Sequence, residues 1–211
     1  MVILFDLDGT LIDSTEAILE SFSVAFKTFD APVPHEELIK DLIGHPLDAM
    51  FATLGVEAAF VDAHVQAYKS HYQKISRAKT VLLPQAREAV ELASQHAVLG
   101  VVTTKTAKYS IELLEHMGLM HYFDVLIGRE DVEHPKPHPE PILNALSKLQ
   151  SDKKRYWMIG DTPMDIIAAK AANIESVAVT CGYADEVMLL EHTPNLAKSA
   201  LEAVKFITQL Q

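Results

Sequence analysis

The feature that most constrains the fold of this chain is an alternation of short apolar runs with helical patterns. Five runs are too short for helices and are bounded by glycine, proline or polar residues, as buried strands are. They cover residues 1–5, 98–102, 123–127, 156–159 and 176–179. Helical patterns separate the last four runs, and strands that alternate with helices pair in parallel. The sequence therefore predicts an α/β, Rossmann-like core in which helices flank a parallel sheet.

Residues 14–81 interrupt this alternation with helical patterns alone. Asp13 is a candidate cap for the first helix, with Glu16 as its reciprocal partner. The domain prediction is an α/β core of residues 1–13 and 82–211, into which an all-helical domain of residues 14–81 is inserted. The expected inserted helices cover residues 13–30, 35–43, 47–54 and 57–77.

Two acids, Asp6 and Asp8, stand at the end of the first apolar run, and Gly9 lets the backbone turn after them. Alternation along a strand places both acids on one side. Close carboxylates repel, so the pair needs a cation or a proton on one of them. One acid can then serve as nucleophile or metal ligand and the other as general acid. An acid-rich turn without chemistry explains the pair equally well, so the prediction depends on the rest of the chain.

Two further acids, Asp161 and Asp165, lie four residues apart at a predicted helix start, on one side of its first turn. Capping alone explains them, because acids are favourable at helix N-termini. However, ligands bind beyond the carboxyl ends of parallel strands, where Asp6 and Asp8 also lie. Four acids at one edge of a sheet require a cation, and an oxygen-only ligand set favours Mg²⁺.

Lys136 lies in a loop with a proline at every second position, which restricts the backbone around it. Thr103 and Thr104 follow the predicted strand 98–102 at the same edge of the sheet. N–H groups at the start of the next helix can also bind an anion. We therefore expect Thr103, Thr104 and Lys136 to bind a phosphate group. Lys105 is a candidate substrate contact, although lysines at helix starts are commonly solvated.

The histidines show no zinc motif in the sequence. His134 and His138 flank Lys136, and His64 and His71 lie seven residues apart on one predicted helix. Neither pair has a third ligand at the spacing of a zinc site. We expect these histidines to be loop and helix-surface residues.

Composition excludes several classes of function. The formal net charge is −11 and no basic patch is present, which argues against a nucleic-acid partner. No apolar run has the length of a membrane span, and the N-terminus does not resemble a signal peptide. Cys181 is the single cysteine, which fits a reducing compartment. A cytoplasmic enzyme with a small-molecule partner is the expectation.

The quoted residues resemble, in the right order, the four motifs of the haloacid dehalogenase-like superfamily, and the resemblance covers the whole chain. These residues are Asp6-Leu7-Asp8-Gly9-Thr10, Thr103, Lys136 and Gly160-Asp161 with Asp165. The helical insertion is similar to the cap of subfamily I. Ile43-Gly44-His45-Pro46-Leu47 and Gly182-Tyr183 resemble the phosphoglycolate phosphatase and pyrophosphatase branch, which often has Asn at the position of Thr104 and Trp at that of Cys181.

This resemblance implies a phosphatase that hydrolyses a small phosphorylated metabolite. Asp6 would be the nucleophile that forms an aspartyl-phosphate, and Asp8 would protonate the leaving group and then activate water. Mg²⁺ would bind the Asp6 carboxylate, the Asp8 backbone carbonyl and Asp161, with Asp165 in support. His45, in the predicted cap, would contact the substrate. The cap would act as a lid.

Other members of the superfamily remain as alternatives. A pyrophosphatase differs only in substrate. A sugar-phosphate mutase like β-phosphoglucomutase usually has Arg in place of Leu47 and Glu-Asp in place of Gly160-Asp161. Dehalogenases lack the second acid, Asp8. A non-catalytic phosphate-binding regulator on the same scaffold would not need all of the acids that this chain retains.

Overall fold

A computed structural model describes residues 1–149 and 155–209. It divides the chain into two compact units. Unit 1 consists of Met1–Asp13 and Leu82–Gln211, and unit 2 of Ser14–Val81. No helix in the described part of the chain is both long enough and apolar enough to cross a membrane.

The strands form one large sheet and one two-stranded sheet. The strands are β1 (Val2–Phe5), β2 (Ile12–Asp13), β3 (Val81–Leu82), β4 (Val98–Val102), β5 (Val125–Ile127), β6 (Tyr156–Gly160), β7 (Glu175–Val179) and β8 (Leu196–Ala197). The large sheet has the strand order β5-β4-β1-β6-β7-β8, and all of its strand pairs are parallel. This sheet confirms the predicted α/β class. β2 pairs with β3.

Ten α-helices lie in the described residues, four of them in unit 2 and six in unit 1. Those of unit 2 are α1 (Thr15–Thr28), α2 (Glu36–Lys40), α3 (Leu47–Thr53) and α4 (Ala58–Ile75). Those of unit 1 are α5 (Ala86–Ser94), α6 (Ala107–His116), α7 (Glu140–Leu149), α8 (Pro163–Ala171), α9 (Glu186–Leu190) and α10 (Ala200–Gln209).

Every residue of β1 is fully buried, because helices cover both faces of the sheet. Side chains alternate along a strand, so Ile3 and Phe5 enter one hydrophobic cluster. This first cluster contains residues of α5, α6 and α10. Val2 and Leu4 enter the second cluster, which contains residues of α7 and α8. The two clusters fix β1 as the central strand of unit 1.

The register of the central strands brings their carboxyl ends to one level. Phe5 pairs with Val101 of β4 on one side and with Ile159 of β6 on the other. Asp6, which follows β1, therefore lies at the same level as Thr103, which follows β4, and Asp161, which follows β6. The sheet itself assembles the edge at which the sequence predicted a site.

Several predicted elements differ from the observed ones. Asp13 does not cap α1, because it belongs to β2 and Ser14 occupies the N-cap position. The two-residue strands β2, β3 and β8 and the helix α9 were not predicted. A strand of two residues has no periodicity to detect. It forms because a neighbouring strand offers an edge, as β7 does for β8 and as β2 and β3 do for each other.

Unit 2 has its own aromatic core. The Phe22 ring lies 4.7 Å from that of Phe51 and 5.0 Å from that of Tyr68. His64 belongs to this core and not to the helix surface, so its predicted placement was wrong. It is 4% exposed, and its ring stacks on Phe29 at 4.3 Å. His64 Nδ1 donates to the backbone carbonyl of Phe60 at 2.9 Å. This hydrogen bond gives one of the two ring nitrogens a partner within the protein.

We predict that Phe22→Ala lowers the free energy of unfolding by about 3–5 kcal/mol, because it opens a cavity among buried rings. Phe60→Ala is the matched control, since that ring is 53% exposed, and it should cost below about 1 kcal/mol. Urea denaturation followed by circular dichroism measures both values. Equal losses would contradict this account of the unit 2 core.

Candidate active site

The Lys136 ammonium lies at the centre of the site and is 3% exposed. Its Nζ lies 2.7 Å from Asp6 Oδ1 and 2.5 Å from Asp165 Oδ1, and it donates to the carbonyl of Val102 at 3.0 Å. These partners come from the end of β1, the first turn of α8 and the end of β4. A single buried cation thus connects three elements that are distant in sequence.

Electrostatics in this site depend on the balance between burial and pairing. Burial raises the pKa of Asp6 to about 7, Lys136 opposes this rise, and the nearby carboxylates of Asp165 and Asp8 add to it. Burial alone would lower the pKa of Lys136, but the carboxylates of Asp165 and Asp6 outweigh it and raise that pKa above its usual value. Lys136 therefore remains an ammonium.

Asp161 is fully buried at the end of β6. Its Oδ1 accepts from Thr10 Oγ1 at 3.0 Å, and its Oδ2 accepts from the backbone N–H of Tyr183 at 2.9 Å. Burial raises the pKa of Asp161 well above its usual value, and Asp6 and Asp165 add to this effect. These two hydrogen bonds fix the orientation of the carboxylate.

Two glycines make room for the Asp161 carboxylate. A Cβ atom on Gly9 or on Gly182 would overlap with it. Gly9 also has a φ of 80°, in the left-handed region that side chains disfavour. Glycine is thus required at Gly9 for two separate reasons.

Asp165 has a structural partner on each of its oxygens. Oδ1 contacts Lys136, and Oδ2 accepts from the N–H of Thr162 at 3.0 Å and from its hydroxyl at 2.8 Å. Thr162 and Asp165 form a capping box at the start of α8. From the sequence, helix capping and participation in the acidic cluster were alternative explanations of Asp165. In the structure this one residue does both.

Asp8 and Lys105 form a separate ion pair, in which Lys105 Nζ lies 3.0 Å from Asp8 Oδ2. The Lys105 side chain is 9% exposed, so it is not the solvated helix-start lysine considered above. Thr103 is buried, and its hydroxyl accepts from the backbone N–H of Lys105 at 3.2 Å. The segment after β4 thus bends back towards the end of β1.

The remaining candidates are less directly placed. Thr104 is half-buried in the same segment. The helix start that was expected to offer free N–H groups is partly occupied, because Ala107 N–H donates to Glu130 Oε2 at 2.9 Å. His45 is exposed and belongs to unit 2, outside the cluster of unit 1.

Three contributors had no assigned role in the sequence. Thr10 and Tyr183 orient Asp161, and Thr162 orients Asp165. Thr10 and Thr162 are direct neighbours of the glycine-acid motifs, which is the only signal that could have identified them. The N–H of Tyr183 could not be found this way, because any residue supplies one.

The donor set of this site suits a divalent cation. One carboxylate oxygen each from Asp6, Asp161 and Asp165 lie within 4.8 Å of one another. The Lys136 ammonium contacts two of these three carboxylates, those of Asp6 and Asp165, so the cluster keeps excess negative charge when the acids are ionised. Oxygen-only donors and high charge density fit a hard ion such as Mg²⁺.

Comparison with known proteins gives a consistent result. The sequence profile of the haloacid dehalogenase-like hydrolases matches residues 3–179. The probable phosphatase IndB of Dickeya dadantii is 36% identical over 94% of this chain and 86% of its own length. The phosphoglycolate phosphatase of Salmonella typhimurium is 32% identical over 85% of this chain and 81% of its own.

The pyrophosphatase PpaX of Oceanobacillus iheyensis is also similar, with 32% identity over 92% of this chain and 89% of its own length. Among solved structures, a haloacid dehalogenase-like hydrolase from Streptococcus pneumoniae superposes with a TM-score of 0.86 and 30% identity. That match covers 100% of this chain and 98% of the other.

We predict that Gly9→Ala destabilises the protein more than Gly118→Ala does. Both glycines have positive φ, at 80° and 66°, so both variants should lose about 1–2 kcal/mol of unfolding free energy. Only the Gly9 variant also meets Asp161, whereas nothing lies within 4 Å of a Cβ on Gly118. Overlap should add about 1–3 kcal/mol in urea denaturation. Equal losses would show that the carboxylate does not press against Gly9.

Proposed function

We propose that this chain, which belongs to the haloacid dehalogenase-like hydrolases and is a phosphatase, hydrolyses a small phosphorylated metabolite with Mg²⁺ as its cofactor. The observation that carries the proposal is the contact of the buried Lys136 ammonium with Asp6 and Asp165 at the carboxyl end of the sheet. A fixed cation beside a carboxylate suits the binding of a phosphoryl group next to a nucleophile.

In the first step, an Asp6 carboxylate oxygen attacks phosphorus, and the bond from phosphorus to the ester oxygen breaks. This step needs ionised Asp6, and Lys136 favours that form against the effect of burial. Asp8 donates a proton to the departing oxygen. Lys136, Thr103 and Thr104 hold the phosphoryl oxygens.

In the second step, Asp8 accepts a proton from water, whose oxygen attacks the aspartyl-phosphate and releases inorganic phosphate from Asp6. Lys105 Nζ lies 3.0 Å from Asp8 Oδ2 and fixes the position of that carboxylate.

Mg²⁺ would be held by Asp6, by Asp161 and by the backbone carbonyl of Asp8, and it would neutralise charge on the phosphoryl group. The hydrogen bonds from Thr10 and Tyr183 orient Asp161 for this role. Asp165 supports the site because its Oδ1 accepts from Lys136 and holds that side chain in place.

A phosphate monoester such as phosphoglycolate is the substrate class that we favour, because a relative with that name is 32% identical to this chain. Pyrophosphate is the second candidate, since a pyrophosphatase relative is equally identical. We also propose that unit 2 forms a lid over the site, that His45 contacts the substrate, and that the protein is cytoplasmic.

We predict phosphate release from some phosphorylated metabolites in the presence of Mg²⁺, and none with excess chelator, since the clustered acids would repel an anionic substrate. A screen with phosphoglycolate, pyrophosphate and glucose 1-phosphate, read as released phosphate, makes the measurement. Restored activity on adding Mg²⁺ is the control for damage by the chelator. Full activity in metal-free buffer would contradict the proposed cofactor.

We predict different effects of replacing the two acids that follow β1, Asp6 and Asp8. Asp6→Asn should abolish turnover, because an amide is a poor nucleophile. Asp8→Asn should lose proton transfer, worth about 10²–10⁴-fold in rate. The loss should be greatest with alkyl phosphates, whose leaving groups need a proton, and smaller with p-nitrophenyl phosphate.

Pre-steady-state kinetics with excess aryl ester should show a burst of nitrophenolate from Asp8→Asn before a slow steady rate. The burst reports phosphorylated Asp6 that waits for water. Unchanged turnover of alkyl esters by Asp8→Asn would exclude Asp8 as the acid and base.

A further inference from the structure

A second group of metal-ligand side chains lies in the loop that carries Lys136. His134, His138 and Glu140 each present one ligand atom, and these atoms lie within 4.8 Å of one another. They are largely or partly exposed, with side-chain exposures of 59%, 51% and 25%. The group is therefore accessible to ions from solvent, unlike the buried acids of the active site.

The proline-rich sequence explains why the three side chains converge. Prolines at 135, 137 and 139 restrict the backbone between the ligands. The two imidazole rings lie 4.8 Å apart with 39° between their planes. His134 and His138 are exposed loop residues, as predicted. The structure in addition places the Glu140 carboxylate beside the pair, which the spacing in the sequence did not indicate.

Glu140 is held in position by the loop itself. Its Oε1 accepts from the N–H of Glu133 at 2.8 Å, and its Oε2 accepts from the N–H of His134 at 3.0 Å. The ring of His134 contacts the same Oε2 through Nδ1 at 3.0 Å. His138 Nδ1 lies 3.9 Å from that oxygen and accepts from the backbone N–H of Glu140 at 3.2 Å. The carboxylate oxygen therefore faces both rings before any ion binds.

We propose that His134, His138 and Glu140 bind a transition-metal ion, with Zn²⁺ as the best match. Two imidazole nitrogens and one carboxylate oxygen form a donor set that Zn²⁺ takes in three-ligand sites, with a fourth position left for water. Mg²⁺ prefers oxygen ligands alone, so it would not compete well here. The ion replaces the proton between His134 Nδ1 and Glu140, and that proton moves to Nε2 of the same ring. At His138 Nδ1 the ion takes the place of the Glu140 N–H, which solvent then accepts.

The position of this site gives it a structural consequence. The ion would join residues on both sides of Lys136, which lies two residues from each histidine. A loop closed in this way resists local opening. Zn²⁺ would therefore stabilise the segment that holds Lys136 between Asp6 and Asp165.

Calorimetric titration of the tag-free, full-length protein with ZnCl₂ tests the proposal. Saturating Mg²⁺ is present throughout, so that the acidic cluster is occupied. We expect one Zn²⁺ per chain. His134→Ala and His138→Ala should each weaken Zn²⁺ binding by at least about 10- to 100-fold. That is the loss typical for removing a residue that only hydrogen-bonds to a metal ligand, and a ligand itself should cost no less.

Two exposed histidines of unit 1 provide matched controls, because His116→Ala and His192→Ala should leave the affinity unchanged. Asp161→Asn should also retain Zn²⁺, since it alters only the acidic cluster. Co²⁺ in place of Zn²⁺ should give visible absorption bands in the unmodified protein that His138→Ala lacks.

Zn²⁺ should also raise the melting temperature of the unmodified protein but not that of His138→Ala. Circular dichroism without metal checks that each variant is folded. The proposal is overturned if Zn²⁺ does not bind beside saturating Mg²⁺, or if the histidine variants bind it as tightly as the unmodified protein. Loss of Zn²⁺ with Asp161→Asn would overturn it too, because the ion would then lie in the acidic cluster.

Discussion

The buried Lys136 ammonium is the interaction on which the rest of the site depends. It joins Asp6, at the end of the central strand, to Asp165, in the first turn of α8. Burying one charge without a partner is costly, and removing one member of such a pair typically costs about 3–5 kcal/mol. The three groups are therefore stable only together. Their mutual dependence requires β1, α8 and the proline-rich loop to meet at one point.

The parallel sheet provides that meeting point. β4, β1 and β6 are neighbours, and their register brings residues from three distant parts of the sequence to one edge. Helices on both faces bury the central strand β1 completely, so the polar groups of this segment lie beyond its end. Gly9 and Gly182 then allow the Asp161 carboxylate to lie against the backbone. Close approach of Asp161 is a reason for glycine at both positions, and the positive φ is a second reason at Gly9.

One loop of the protein contributes side chains to two chemically different groups of residues. Lys136 points inward to carboxylates. Carboxylate oxygens are ligands that hard cations such as Mg²⁺ prefer. His134 and His138 point to Glu140 at the outer side, where nitrogen donors favour softer ions. Alternating prolines hold the loop in a conformation that serves both sets. A single segment thus contributes both to the acidic cluster of the active site and to the exposed group of His134, His138 and Glu140.

The sequence by itself determined the fold class and the motif residues, because strand length, helical periodicity and the acid-glycine spacing are local properties. It also indicated that Asp6, Asp161 and Asp165 would share one edge, since the ends of parallel strands coincide. Only the tertiary structure decided that Lys105 pairs with Asp8, that Glu140 completes the histidine pair, and which groups orient Asp161. Each of these depends on a distance between side chains, and a distance across the fold is set by packing, which no local pattern encodes.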